Sequence, residues 1–329
     1  MSEQFQAYQI GKNDDGQRCT LTQLDDSDLM EGDVTVRVEY TTLNYKDGLA
    51  MTGRSPVVRK FPLTPGVDFS GTVIASEHAD FNQGDQVILN GFGVGEAHSG
   101  GYAQKARVSG DWLVTVPAGL DTRHAMAIGT AGYTAMLSVM ALEDHGIKPD
   151  HGDILVTGAS GGVGSVAVAI LSKLGYRVVA TTGRMNEKDF LLGLGAADVL
   201  DRADFAEKAR PLGKELWSGA IDVAGGNTLA NVLSQLKYGG AAAVCGLAES
   251  MSLPTTVAPF ILRGISMYGI DSVMASIAKR KIAWARLAAD LDLNLLDELS
   301  FDLDFADLPQ AAEDILDGKI RGRAVVKLP

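Results

Sequence analysis

The sequence predicts an α/β fold in two parts, one β-rich and one a doubly wound sheet of six parallel strands with helices on both faces. Three observations carry this. An apolar run, Ile154-Leu155-Val156-Thr157, enters the glycine-rich turn Gly158-Ala159-Ser160-Gly161-Gly162-Val163-Gly164 and leaves it into a small, apolar segment. From Asp153 onward, short β-branched runs alternate with segments of helix length. Before that point, Asp33-Val34-Thr35-Val36-Arg37-Val38-Glu39-Tyr40 alternates strictly, the mark of a half-buried strand.

In chain order, residues 33–40, 67–75, 86–89 and 102–108 read as short strands separated by Gly, Pro and Asp. Residues 125–142 are rich in Ala and Met, with Gly129 and Gly132 among them, and read as a close-packed helix leading into the second part. Strands are then expected at 154–157, 178–181, 198–200, 219–223, 241–246 and 266–270. Helices fill the gaps, among them 165–174, closed by Gly175, and 228–236. Residues 277–293 read as a mixed basic and apolar helix, and 299–305 and 324–327 as strands rejoining the first part. The expected domains are 1–125, completed by 276–329, and 126–275. A length of 329 residues fits two domains of about 150 each.

Composition narrows the function. Hydrophobic residues make up 46% and charged residues 21%, near the globular average, so disorder is not indicated. A net charge of −12 argues against a nucleic-acid or anionic-membrane surface, and any phosphate-bearing ligand must be held by local basic residues. Cys19 and Cys245 are the only cysteines, which excludes a disulfide framework and a four-cysteine zinc site. The opening Met1-Ser2-Glu3-Gln4-Phe5 has no signal-peptide core, and Gly, Lys or Asp interrupts the longest apolar runs short of a membrane span. The cytoplasm is the expected location.

The glycine turn has the form Ala159-x-Gly161-x-x-Gly164, with alanine at the first glycine position, between two strands and before a helix. That context points to dinucleotide binding, the pyrophosphate lying on the helix N-terminus. An NAD-specific site places a carboxylate about 20 residues past the turn for the ribose 2′-hydroxyl. Here that place holds Thr182-Gly183-Arg184, so a guanidinium is available for a 2′-phosphate, with Lys188 and Arg202 adding charge. NADPH is therefore expected over NADH; the plainer alternative is that Arg184 caps the next helix in solvent. The five histidines are scattered without ligand spacing, and no metal constellation is evident. His98 lies in a glycine-rich loop of the kind that lines clefts, although a structural role suits it as well. The short turn Leu43-Asn44-Tyr45-Lys46-Asp47 gathers polar groups just past a strand. Hydride transfer without metal needs donors that orient the acceptor and a proton source. Tyr45 and Asn44 are the catalytic candidates, with Tyr45 as an aromatic wedge the alternative.

Several segments carry a resemblance along essentially the whole chain. They are Gly32-Asp33-Val34, Asn44-Tyr45-Lys46-Asp47, Pro65-Gly66-Val67-Asp68-Phe69-Ser70-Gly71, Gly84-Asp85-Gln86-Val87, the glycine turn and Gly322-Arg323-Ala324-Val325-Val326. The chain resembles the medium-chain dehydrogenase/reductase superfamily, which implies a GroES-like catalytic domain plus a Rossmann domain. Where zinc members carry Gly-His-Glu, this chain has Gly66-Val67-Asp68, and Asn44 stands near the usual first cysteine ligand. It is thus similar to the zinc-free quinone-oxidoreductase branch. Gly110-Asp111-Trp112-Leu113-Val114, Ile128-Gly129-Thr130-Ala131-Gly132-Tyr133 and Pro259-Phe260-Ile261-Leu262-Arg263-Gly264 are similar, within it, to NADPH-dependent acrylyl-CoA reductases.

The resemblance implies a cofactor shell. Tyr45 and Thr130 are expected at the nicotinamide end and Ser160, Gly161, Gly162 and Val163 at the pyrophosphate. Thr182, Gly183, Arg184 and Arg202 are expected to hold the 2′-phosphate and adenosine, and Leu247, Ile261, Ser272 and Arg323 to close over the nicotinamide side. It also implies a homodimer joined through the edge strand at 266–270. The expected activity is reduction of the C=C bond of a short 2-enoyl-CoA, most readily acrylyl-CoA. Arg54, Arg59, Lys60 and Arg263 are candidates for a basic rim facing the CoA phosphates. The alternatives are an NADPH:quinone oxidoreductase and a non-catalytic NADPH-binding protein.

Overall fold

The computed structural model describes residues 4–14 and 16–329. Residues 1–3, on which part of the signal-peptide reading rests, lie outside them. In chain order the elements are β1 (Phe5–Asn13), β2 (Gly16–Leu24), β3 (Val34–Leu43), α1 (Tyr45–Thr52), β4 (Asp68–Ser76), β5 (Gln86–Asn90), β6 (Lys105–Val108), β7 (Val114–Thr115) and α2 (Thr122–His145). There follow β8 (Ile154–Val156), α3 (Gly162–Lys173), β9 (Val178–Thr182), α4 (Lys188–Gly193), β10 (Asp198–Asp201), β11 (Trp217–Asp222), α5 (Gly226–Gln235), β12 (Leu236–Val244), α6 (Ala258–Arg263) and β13 (Ser266–Gly269). The chain ends with α7 (Ile277–Asp290), α8 (Leu293–Leu299), β14 (Ser300–Leu303), α9 (Leu308–Leu316) and β15 (Arg323–Lys327).

The chain divides into two compact units. The first holds the chain up to Thr130 together with Ser272–Ala288 and Leu296–Pro329. Its main sheet runs β14-β15-β3-β4-β5-β7, with β6 also paired to β3. Val34, Val36 and Val38 of β3 are buried, as the strict alternation requires. Register does the functional work here. Leu43 of β3 pairs with Ala324 of β15, Thr41 pairs with Phe69 of β4, and Asp68 pairs with Asn90 of β5. Residues 42, 44, 68, 90 and 323, far apart in sequence, are thereby brought to one end of the sheet.

The second unit comprises Ala131–Asp271 and Ala289–Leu295. Its sheet is parallel throughout, ordered β10-β9-β8-β11-β12-β13, the 3-2-1-4-5-6 order of a Rossmann fold. Strands β8, β9 and β11 are buried along their whole length, which is why they read as continuous apolar runs rather than alternating ones. Helix α3 begins directly after the glycine turn and buries eight consecutive residues, from Gly164 to Leu171. A Cβ on Gly164 would lie 2.5 Å from the Gly158 carbonyl oxygen and 2.6 Å from Ala159 Cα, so only glycine lets this helix approach its strand.

Several local expectations need correction. The β1–β2 hairpin was not foreseen, because β2 is mostly polar and exposed and shows no alternation. The Leu43–Asp47 turn is the entry to a full helix, α1, and the strand expected at 102–108 is confined to 105–108. The helix expected at 277–293 breaks into α7 and α8, and α9 was not anticipated. Helix α2 is longer than expected and is interrupted at Gly129 (φ 51°, ψ −161°). It is also the one described helix long and apolar enough to cross a membrane, and 89% of its apolar stretch is buried inside the protein. It is a core helix here.

Replacing Gly164 with Ala should cost about 1–3 kcal/mol of stability through overpacking. Gly193→Ala, in an exposed helical position with open space around it, should instead gain up to about 1 kcal/mol. Thermal unfolding of both variants checks this; a Gly164→Ala protein as stable as wild type would show that the helix can back away freely.

Candidate active site

At the sheet end of the first unit, two carboxylates and one guanidinium are buried together. Asp68 accepts the Thr42 hydroxyl at 2.7 Å, the Asn44 amide at 3.1 Å and the Thr130 backbone N–H at 2.7 Å. Asp47, the third residue of α1, accepts the Asn44 backbone N–H at 2.9 Å, the Asn44 side-chain amide at 3.1 Å and the Val67 N–H at 2.9 Å. Asp47 thus closes the helix N-terminus as the acid of a capping box does. Arg323, at the start of β15, donates from Nε to the Ala127 carbonyl at 3.1 Å and from Nη1 to Asn44 Oδ1 at 3.4 Å. Its Nη2 has no hydrogen-bond partner. The Tyr102 hydroxyl donates to the Thr42 carbonyl.

This cluster demands the broken helix. A Cβ on Gly129 would sit 2.4 Å from Arg323 Nη2 and 3.1 Å from Asp68 Oδ2, and its positive φ is one that other residues rarely adopt. The strain at Gly129 turns the Thr130 N–H onto Asp68. Electrostatics follow from burial. Desolvation first, then the nearby Asp68 charge, pushes the Asp47 carboxyl up to about 7, against the pull of its three donors. Burial works against the Arg323 charge, and Asp68 and Asp47 work for it.

Tyr45 opens α1 and is 43% exposed, while Lys46 beside it pairs with Glu96 at 2.9 Å. Arg280 of α7 is buried and spends its guanidinium on the Asn90, Ser272, Val273 and Ala275 carbonyls, lying 4.2 Å over the Phe92 ring. It fixes the segment that carries Ser272 onto the end of β5. His98 has its ring nitrogens at the Glu31 and Ser99 carbonyls and its ring edge on Trp112, so the histidine of the glycine-rich loop is a structural residue.

In the second unit, α3 starts at an N-cap glycine, Gly161, with no side chain capping it. Its first N–H groups are therefore left for a ligand, in a helix twelve residues long. Beside it, the Ser160 and Thr182 hydroxyls are 2.9 Å apart. Arg184 reaches back from the end of β9, its Nη2 donating to the Ser160 carbonyl at 3.1 Å and hydroxyl at 3.0 Å. Its backbone N–H donates to the Thr182 hydroxyl at 3.0 Å. A Cβ on Gly183 would meet the Arg202 guanidinium at 3.0 Å, so Arg184 and Arg202 flank Gly183. Two guanidiniums and two hydroxyls thus lie beside a helix N-terminus that no side chain caps. At the β11 end, buried Asp222 accepts the Thr157 hydroxyl at 2.7 Å and the Gly225 N–H at 2.8 Å, tying the turn after β8 to the turn after β11.

The structure thus gathers Asn44, Tyr45, Thr130, Ser272 and Arg323 in the first unit. Ser160, Gly161, Gly162, Val163, Thr182, Gly183, Arg184, Arg202, Leu247 and Ile261 lie in the second, where Leu247 and Ile261 are exposed. Asp47, Asp68, Gly129 and Asp222 were not picked out from the sequence. The signal for Asp47 was present: a residue three places after Asn44 at a helix start is where a capping acid sits.

Comparison with known proteins agrees with this layout. Residues 30–118 match the alcohol dehydrogenase GroES-like domain and residues 162–289 the zinc-binding dehydrogenase domain. The acrylyl-CoA reductase AcuI of Ruegeria pomeroyi is 52% identical over 325 residues, covering 98% of each chain. The crystal structure of Escherichia coli YhdH with bound NADPH has a TM-score of 0.97 at 52% identity, covering 98% of this chain and 100% of that one. Bacillus subtilis YhfP, solved with NAD bound, has a TM-score of 0.95 at 43% identity, covering 99% and 100%.

The native state holds the Asp47 proton from the ordinary value of 3.8 up to about 7, where the unfolded chain has already released it. More protons on the native state mean that stability falls as pH rises through that window. Asp47→Asn should flatten this part of the stability–pH curve, whatever it does to the absolute value. Denaturant unfolding at a series of pH values measures it, and equal slopes in both proteins would refute the raised pKa.

Proposed function

The chain belongs to the medium-chain dehydrogenase/reductase family, and on that footing we propose an NADPH-dependent reductase of the C=C bond of a short 2-enoyl-CoA, converting acrylyl-CoA to propanoyl-CoA. The observation that carries the cofactor choice is Arg184 tied across the glycine turn to Ser160, beside Arg202 and with no acid at the ribose position. The substrate rests on the likeness to the Ruegeria acrylyl-CoA reductase along nearly the whole of both chains.

Bound NADPH supplies the hydride that reaches the β-carbon of the enoyl thioester. The chain's own residues bind, orient and protonate. The α3 N-terminus at Gly161, Gly162 and Val163 receives the pyrophosphate, and Thr182, Gly183, Arg184 and Arg202 receive the 2′-phosphate and adenosine. Leu247, Ile261, Thr130 and Ser272 are assigned to the nicotinamide end. Asn44 has its amide engaged with Thr42, Asp47, Asp68 and Arg323. It is therefore a positioning residue, and with Asp68 and Arg323 it holds Thr130 and the start of α1 in place. Tyr45 is left to deliver the proton to the α-carbon from its exposed hydroxyl.

No metal takes part in this proposal, because the carboxylates near the zinc members' ligand positions are already committed to amide and hydroxyl donors. The first unit acts as the catalytic domain and the second as the cofactor domain. A cytoplasmic homodimer completes the reading. Strand β13 is an edge strand with Met267 and Tyr268 exposed, a surface that a second copy would cover.

The deciding assay follows NADPH oxidation with acrylyl-CoA, crotonyl-CoA and a benzoquinone offered in parallel. Acrylyl-CoA should be turned over fastest; turnover of the quinone alone would make the protein a quinone oxidoreductase. Arg184→Ala should raise KM for NADPH at least about tenfold, the scale of a lost charge-assisted contact, and leave KM for NADH little changed. An equal rise for both cofactors would remove the 2′-phosphate assignment. Tyr45→Phe should lower kcat by about a hundredfold, the lower range for a general acid. Unchanged kcat would reduce Tyr45 to a packing residue.

A further inference from the structure

The four arginines and lysines expected at a CoA rim do not share one fate. Arg263 is turned inward, donating to the Ser234, Leu236 and Gly213 carbonyls and paired with Glu215. Arg54 is taken up by Glu313 and Asp317. Arg59 and Lys60 remain, and the first unit places two further cations in line with them.

The organiser is Glu96, whose side chain is only 12% exposed. It binds Lys46 Nζ at 2.9 Å through Oε1 and lies 3.8 Å from Arg59 Nη2 through Oε2. Its carbonyl also accepts the Arg59 backbone N–H at 2.7 Å, so main chain and side chain together pin Arg59, whose own side chain is 73% exposed. Lys60 follows in sequence and is exposed. Phe61 lies under the Lys12 ammonium, 5.8 Å from the ring centroid, and Leu63 is bonded both ways to Ile10 of β1, which holds this segment against the hairpin. Among the described residues, Glu96 is the one carboxylate in ion-pair contact with any of these cations. Lys46 and Arg59, with Lys60 next in sequence, thus meet a single ion-paired carboxylate, on a chain of net charge −12. The strip starts at Lys46, next to Tyr45.

We infer that Lys46, Arg59, Lys60 and Lys12, ordered by Glu96, form the site for the phosphates of the CoA thioester. This rests on the enoyl-CoA reading above and adds to it the place where the nucleotide end of the substrate is held. Cations gathered from the residue next to Tyr45 suit a substrate with a small reactive acyl group and a distant, strongly anionic tail. Being solvent-exposed, the attraction is also one that salt weakens.

The test compares acrylyl-CoA with acrylyl-N-acetylcysteamine, a thioester of the same acyl group that has no phosphates, in wild type and in the Arg59→Ala/Lys60→Ala double variant. The variant should raise KM for acrylyl-CoA about tenfold, the combined scale of two exposed ion pairs. KM for the truncated thioester and for NADPH should move less than about twofold, within the same scale. In wild type, added salt should raise KM for acrylyl-CoA and not for the truncated thioester. Equal effects on the two thioesters, or none on either, overturn the phosphate site while leaving the enoyl reduction standing. Failure of wild type to reduce either thioester overturns the enoyl-CoA reading itself, a result distinct from any the variant can give.

Discussion

The buried contact among Asp68, Asp47, Asn44 and Arg323 is the constraint on which the first unit depends. Burying charges is costly, and an unpaired one more so, so the cluster is tolerable only when all its members arrive. They arrive from four places: the end of β3, the first turn of α1, the start of β4 and the start of β15. The Leu43–Ala324 and Thr41–Phe69 pairings bring them together, so a slip of one residue in either register would leave a charge stranded. The charge count is also informative. Two carboxylates and one guanidinium leave a net negative charge, and a proton on Asp47 removes it, in keeping with a carboxyl pushed up to about 7.

The second unit solves a different problem by a different route. It binds a dinucleotide, and its basic and hydroxyl groups are tied to one another across the glycine turn. The α3 N-terminus has no capping side chain, and the two arginines flank a glycine rather than a carboxylate. The carboxylates of buried Asp222 and exposed Glu249 serve backbone N–H groups of the turn after β11 and the start of α5.

These two strategies explain what the sequence could and could not reveal. The glycine turn, each single strand of the parallel sheet and the arginine at the ribose position are local signals, and they were legible. The cluster around Asp68 is a product of register between strands more than two hundred residues apart, and no local pattern announces it. Arg323 was named from a resemblance and expected to face the cofactor; its side chain is buried, with Nε and Nη1 bonded inside the unit and Nη2 without a hydrogen-bond partner. Hairpin β1–β2 escaped notice although β1 buries Phe5, Ala7, Tyr8 and Ile10, because its partner β2 has no buried residue.

The first turn of α1 joins these threads. Successive helical residues point about 100° apart, so Tyr45, Lys46 and Asp47 must face three directions. Asp47 faces the buried cluster, Lys46 reaches Glu96 at the cationic strip, and Tyr45 projects into solvent. One turn, fixed by Asp47 on the Val67 N–H and on the Asn44 backbone, therefore sets the positions of Tyr45 and Lys46 together. A disturbance deep in the cluster would reach both through that turn. Asp47 thus couples the buried cluster to the exposed residues beside it in the first turn of α1.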